Sequence, residues 1–306
     1  EQLSGAGSMA VIMREAIKPN LLQTLENTPV IVHAGPFGNI AHGNSSIIGD
    51  MIGIHGGDFL ITEAGFGADM GAERFFNIKC RTSGLVPDAA VLVTTVRALK
   101  AHSGKHKIVA GKALPAELLA ENPSDVEAGG ANLKKQIENV KAHGVTPVVA
   151  INAFPTDHKS EHDVIRRIAA EAGARVAVCT HFADGGAGAV DLAKAVVEAC
   201  QEENGFHLLY PSDASLKEKI ETVATKIYGA AKVEYSALAN KQLKNYTDNG
   251  FAHLPVCIAK THLSISGDAS LKGAPTGHTL TVREVRASVG AGFIYPICGE
   301  MRTLPG

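Results

Sequence analysis

The chain has 306 residues, a formal net charge of −2, 45% hydrophobic residues and 20% charged residues. Such a length and balance suggest about two ordinary globular domains. They provide no basic footprint for nucleic acid or for an anionic membrane, and no apolar run approaches the roughly 18 residues that span a bilayer.

Met9, Ile12, Met13, Ala16 and Ile17 follow helical spacing. The chain opens at Glu1, inside this apparent helix, so we expect a piece of a longer polypeptide. Five short apolar runs follow, at 29–32, 59–62, 89–96, 147–152 and 175–180. They are continuous and rich in valine and isoleucine, as strands of a parallel sheet covered on both faces are. Helical stripes lie between the later runs. Leu133, Ile137 and Val140 precede Gly144, and Ile165, Ile168 and Ala172 precede Gly173. Val190, Ala193, Val196 and Val197 form a further stripe. The β–α alternation predicts an open α/β sheet. The pattern changes after about Asn204, with predicted helices at 215–228 and 235–245. Strand-like segments follow at 254–259, 279–285 and 293–297, and a glycine-rich loop occupies 266–277. Cys80, Cys179, Cys200, Cys257 and Cys298 are widely spaced and form no CxxC pair, which predicts buried free thiols and a reducing, cytoplasmic location.

Ligands of an open parallel sheet bind outside the carboxyl ends of its strands. The loops there are therefore the candidate sites. HAGPFGNIAHGN (33–44) holds three glycines that either let the backbone approach a ligand or only make a tight turn. In TEAGFGADMGAE (62–73), Gly65 and Gly67 bracket Phe66, and Glu63, Asp69 and Glu73 supply carboxylates. Those carboxylates suit a magnesium–nucleotide site; the competing reading is a solvated helix N-terminus favoured by the dipole. After the fourth run, Phe154 and Pro155 stand on a rigid turn, where the ring either offers a stacking face or folds into the core. HFADGGAG (181–188) places Phe182 in the equivalent position after the fifth run. Two aromatics at the ends of adjacent strands would sandwich one flat heterocycle. The sequence contains no GxxxxGK[ST], no GxGxxG with a following acid, no GxSxG and no HExxH.

Long strings of this sequence resemble formate–tetrahydrofolate ligases. They include IKPNLLQTLENTPVIVHAGPFGNIAHGN (17–44), LITEAGFGADMGAERFFNIKCR (60–81), VVAINAFPTD (148–157), LLYPSDASLKEKI (208–220), GAPTGHTLTVREV (273–285) and GAGFIYPICGE (290–300). The resemblance implies an incomplete P-loop-type parallel sheet, a second α/β region and a small α+β part. Residues 1–103 would close the nucleotide domain, 104–204 would form the folate-binding region, and 205–306 the smaller region. It implies ATP-dependent joining of formate to tetrahydrofolate through formyl phosphate, giving 10-formyltetrahydrofolate, with magnesium and a monovalent cation (potassium or ammonium) as cofactors. A homo-oligomer, a tetramer in the complete enzyme, is implied as well. Phe154, Pro155, Phe182, Gly185 and Gly186 would hold the folate, with Phe182 standing where the family usually has Trp. Phe37, Asn39, His42, Glu63, Gly65, Gly67 and Asp69 would face the nucleotide and formyl phosphate. The phosphate-loop lysine of the family has no counterpart here, so these residues alone are expected to be inactive and no catalytic residue or metal ligand is assigned. The alternative is a non-catalytic or split-subunit folate-binding protein that needs a partner chain carrying the phosphate loop.

Overall fold

The computed structural model describes residues 4–34, 39–108 and 111–299. Helix α1 (Ala6–Ala16) forms where the spacing of its apolar residues places it, yet none of its residues is buried. β1 (Asn20–Gln23) and β2 (Pro29–Val32) then pair antiparallel, with Leu21 opposite Ile31. The run at 29–32 therefore joins no parallel sheet. A tight turn folds it directly back on β1, and a turn that short permits only antiparallel pairing. α2 (Ile47–Gly56) starts at Ser46, whose hydroxyl oxygen accepts the Gly49 N–H at 2.9 Å. The expected strand at 59–62 is absent. Phe59 and Ile61 are exposed and no described strand lies beside them, so nothing pairs their backbone groups. Two π-helical stretches, Ala68–Ala72 and Phe75–Cys80, come next.

The remaining three runs make the parallel sheet. β3 (Ala89–Thr94), β4 (Thr146–Asn152) and β5 (Arg175–Cys179) stand in that spatial order, with Val91 beside Val148 and Ile151 beside Val178. α3 (Val96–His102) and α4 (Pro123–Lys141) lie between β3 and β4 in the chain, α5 (Lys159–Glu171) between β4 and β5, and α6 (Val190–Ala199) follows β5. Val149 and Ile151 of β4 enter a core with Val126, Leu133, Ile137, Ile165 and Ile168. Helix α6 packs on β4 and β5. The central strand is thus buried on both faces, which accounts for its unbroken apolar run.

The last region holds α7 (Leu216–Lys226), β6 (Lys232–Tyr235), α8 (Ala237–Asp248), β7 (Thr279–Ser288) and β8 (Phe293–Cys298). β6 and β7 are parallel, and β7 and β8 antiparallel. Tyr235 ends a strand instead of opening the helix, because Ser236 caps α8 by accepting the Ala239 N–H. The segment at 254–259 meets β8 only at the bridges Val256–Ile294 and Ala259–Ile297. Ile220, Val223, Tyr228, Val256, Leu280, Val282 and Ile294 form the core of this region. All five cysteines are free thiols, four of them buried. Among the described residues no helix is long and apolar enough to cross a membrane.

Candidate functional site

The parallel register fixes where the two candidate aromatics emerge. Asn152 lies beside Cys179, and the Ala153 N–H donates to the Cys179 carbonyl at 3.1 Å. Phe154 and Phe182 therefore leave the carboxyl ends of neighbouring strands at nearly the same level. Phe154 is half-buried. Its N–H donates to Asp157 Oδ2 at 3.0 Å, which closes the Phe-Pro-Thr-Asp turn. The Arg97 guanidinium lies 3.9 Å from the centre of its ring and donates to the Thr156 hydroxyl at 2.9 Å. This cation–π contact props the ring in place, and the ring does not fold into the core. Pro155 is exposed on the same turn. Phe182 is 93% exposed, so its ring faces are open for stacking. Thr180 and Asp184 hydrogen-bond across the turn that carries it, and Gly185 follows at φ +59°. Cys179 Sγ lies 3.0 Å from His181 Nδ1.

A buried pair holds the first of these loops from behind. Lys100 Nζ meets Glu161 Oε1 at 2.5 Å, both side chains being buried. Glu161 also accepts the His158 N–H and the Asn122 N–H, while Lys100 donates to the Leu118 and Ala120 carbonyls. All three Lys100 donors are used and both Glu161 oxygens accept, which a buried ion pair needs to offset its desolvation.

Gly43, near the end of the 33–44 segment, packs against the 62–73 loop. The Gly65 N–H donates to the Gly43 carbonyl at 3.3 Å. A Cβ on Gly43, which has φ +100°, would lie 2.7 Å from the Gly71 carbonyl oxygen, and one on Gly71 would overlap Gly65. These glycines thus serve backbone-to-backbone contact between the loops. A side chain on Gly67 would press on Asp69 and Gln136. Phe66 takes φ +64° and its ring lies 5.5 Å from that of His262. Of the sequence candidates here, Asn39 is buried, His42 half-buried and Glu63 exposed; Phe37 lies outside the described residues.

The acidic residues of the second loop are not on a solvated helix end. Asp69 is buried, with Oδ2 paired to Lys260 Nζ at 2.7 Å and Oδ1 accepting from Gln136 at 2.9 Å. Burial pushes the Glu73 carboxyl up to about 7, although Asn77 donates to it at 2.8 Å. Beside them Lys79 and Asp50 form a second buried pair at 2.6 Å. Burial and the Lys79 charge hold the His42 imidazole below its ordinary value, so it is a neutral ring near pH 7. Glu63 is the exposed carboxylate of this loop, whereas Asp69 and Glu73 are buried. Lys79, Asp50, Lys260 and Arg97 escaped the sequence reading. The one available signal was a lysine ending the apolar run Val256-Cys257-Ile258-Ala259, since an unpaired buried lysine is rarely tolerated.

The fold and site define an α/β protein with a polar, glycine-rich region and two aromatic-bearing loops at the carboxyl edge of a parallel sheet. Comparison with known proteins narrows that class. The family model described as formate–tetrahydrofolate ligase matches residues 1–306, and the chain belongs to that family. It is 69% identical over 306 residues to the formate–tetrahydrofolate ligase of Saccharopolyspora erythraea, covering 100% of this chain and 54% of that protein. Formate–tetrahydrofolate ligase 3 of Rubrobacter xylanophilus is 66% identical over 315 residues, with 55% of its length covered. The Cutibacterium acnes ligase is 62% identical over 306 residues, with 54% covered. The chain spans about half the length of the curated relatives it matches.

Proposed function

We propose that this chain supplies the folate side, and part of the nucleotide side, of an ATP-dependent ligation of formate to tetrahydrofolate. The observation that carries the reading is the register of β4 and β5, which brings Phe154 and Phe182 out on neighbouring strand ends, one ring propped by Arg97 and the other open to solvent. A pterin ring stacks on such faces. Formate attacks the terminal phosphate of ATP to give formyl phosphate. The secondary amine of the folate then attacks the formyl carbon, and phosphate leaves. Chemistry of this kind depends on positioning and electrostatics. In this reading His42 and the described backbone of the glycine loops would face the acyl phosphate.

Among the described residues no cluster of three His, Cys, Asp or Glu side chains forms a metal cage. Magnesium would keep phosphate and water oxygens and take few from protein. Glu63 is the exposed carboxylate available to it, because Asp69 and Asp50 are held by lysines and Glu73 is buried. The 306 residues contain no GxxxxGK[ST] loop, so these residues alone are not expected to turn over.

The test is a tetrahydrofolate titration of the chain and of its Phe154→Ala and Phe182→Ala variants. Each replacement is expected to weaken binding by about 1–3 kcal/mol, by analogy with base–aromatic stacking. Variants that bind folate as tightly as the parent, while melting earlier, would show that the two rings serve only the fold.

A further inference from the structure

The β1–β2 hairpin reaches across to the loop that carries Phe182. Its turn is held by Thr24, whose hydroxyl oxygen accepts the N–H groups of Glu26 at 3.2 Å and Thr28 at 3.1 Å. Asn27 occupies the left-handed region at φ +62°. This turn presents the Glu26 side chain to the glycine loop, where Oε1 accepts the Gly186 N–H at 2.7 Å. The carboxylate lies flat on the two glycines. A Cβ on Gly185 would come 2.8 Å from Oε1, and one on Gly186 would overlap the carboxylate. The glycine pair is therefore required by the acid it carries as well as by its own backbone. Oε2 has no hydrogen-bond partner among the described residues. The Phe182 ring stands on the short helix His181–Asp184 immediately before Gly185.

We propose that Glu26 reads the edge of the pterin ring that Phe182 stacks. This rests on assigning the Phe154 and Phe182 loops to folate. The pyrimidine ring of a reduced pterin carries an amino group at C2 beside an N3–H, two donors on one edge. An ionised carboxylate accepts at both oxygens, with about four lone-pair positions in all. Oε2 is open, and Oε1 keeps capacity beyond the Gly186 bond. Charge-assisted pairs of this kind are roughly twice as strong as neutral ones. Adenine offers one donor beside an acceptor on the matching edge, so the same carboxylate rejects the base of ATP. The hairpin thus selects the substrate of the aromatic loops.

The experiment compares the full chain with its Glu26→Gln variant by calorimetry. The ligands are tetrahydrofolate, its 2-desamino-2-methyl analogue and GMP, whose guanine shares the donor edge. The glutamine keeps an oxygen for the Gly186 N–H, so a role limited to clipping the hairpin down would survive the change. The expected result is a loss of tetrahydrofolate affinity of about tenfold or more, the usual size for a hydrogen bond to a charged group. The melting temperature should not move. The analogue should bind the parent about tenfold more weakly than tetrahydrofolate and lose less than tetrahydrofolate does in the variant, because only its N3–H still meets the carboxylate. Equal tetrahydrofolate affinity in parent and variant overturns the inference and leaves the folate assignment standing. Equal losses for both folates in the variant, accompanied by earlier melting, make Glu26 a clip and overturn it as well. GMP binding more tightly than tetrahydrofolate would overturn the choice of pterin. A parent chain that binds neither folate overturns the folate assignment and this inference together.

Discussion

Residues 4–61 and residues 205–298 use similar apolar content in opposite ways. In the first region α1 buries nothing and β1 is exposed along its whole length. Ile12, Leu21 and Ile61 face solvent. In the second, Ile220, Val223, Tyr228 and Ile294 are sealed in one cluster. Helical spacing in the sequence is equally clear in both. Periodicity therefore reports which face of an element is apolar, while burial depends on whether another element lies against that face. β3 shows the same contrast within one sheet. It is an edge strand, and Val91 and Val93 are exposed, whereas β4 beside it is buried on both faces.

The largest effect ties the last region to the acidic loop that follows the first region. Lys260, in the last region, donates to Asp69, Ser264 and Thr261 from a fully buried position. Lys260→Met should cost about 3–5 kcal/mol in denaturant unfolding, because it leaves the Asp69 carboxylate buried without its cation. Replacing both partners, in Asp69→Leu with Lys260→Met, should recover part of that loss. A single variant as stable as the parent would mean that the pair adds nothing to holding the last region against the 62–73 loop.

These pairs also mark the limit of what the sequence makes legible. The β3–β4–β5 sheet was readable because a strand buried on both faces leaves a continuous apolar run, as at 147–152. The hairpin was misread because Pro29-Val30-Ile31-Val32 carries the same composition, and composition does not record which strand lies beside it. At the candidate site, Phe154 and Phe182 stood out by their position after strands. Glu26 did not, because its partner Gly186 is 160 residues away. Asp69 was legible as an acid and illegible as a buried one, since Lys260 lies 191 residues beyond it.

A smaller effect, from buried groups in the stretch between the two regions, depends on pH. Burial raises the Glu73 carboxyl from 4.5 to about 7. The folded state then binds this proton more tightly than the unfolded chain does. The stabilisation is complete below pH 4.5 and is lost as pH rises through 7, on the order of 3 kcal/mol for a shift of this size. His143 acts in the opposite sense, because burial lowers its imidazole to about 4. Its contribution is present above 6.5 and lost as pH falls toward 4. The two nearly oppose each other between pH 4.5 and 6.5, so the parent profile alone is uninformative. Glu73→Gln removes the first of them. The variant should lose less stability than the parent between pH 5 and 8 in parallel urea titrations. Parallel curves for the two proteins would show that Glu73 is not protonated in the folded state.

The smallest expected effect lies in the exposed region. Ile12 is 78% exposed on a helix with no buried residue. Truncating a core isoleucine costs about 2–5 kcal/mol, through lost transfer energy and the cavity left behind. Neither contribution applies to a side chain already in water, so Ile12→Ala should change stability by less than about 0.5 kcal/mol. Alanine also has the higher helix propensity, which makes a small gain the favoured sign. The measurement is the urea midpoint of the chain, taken at several protein concentrations. A concentration-independent midpoint with no shift from the substitution keeps the contrast between the regions. A loss above 1 kcal/mol that grows with protein concentration would show that α1 is covered in solution by a second copy of the chain, and the exposed face would then be an interface.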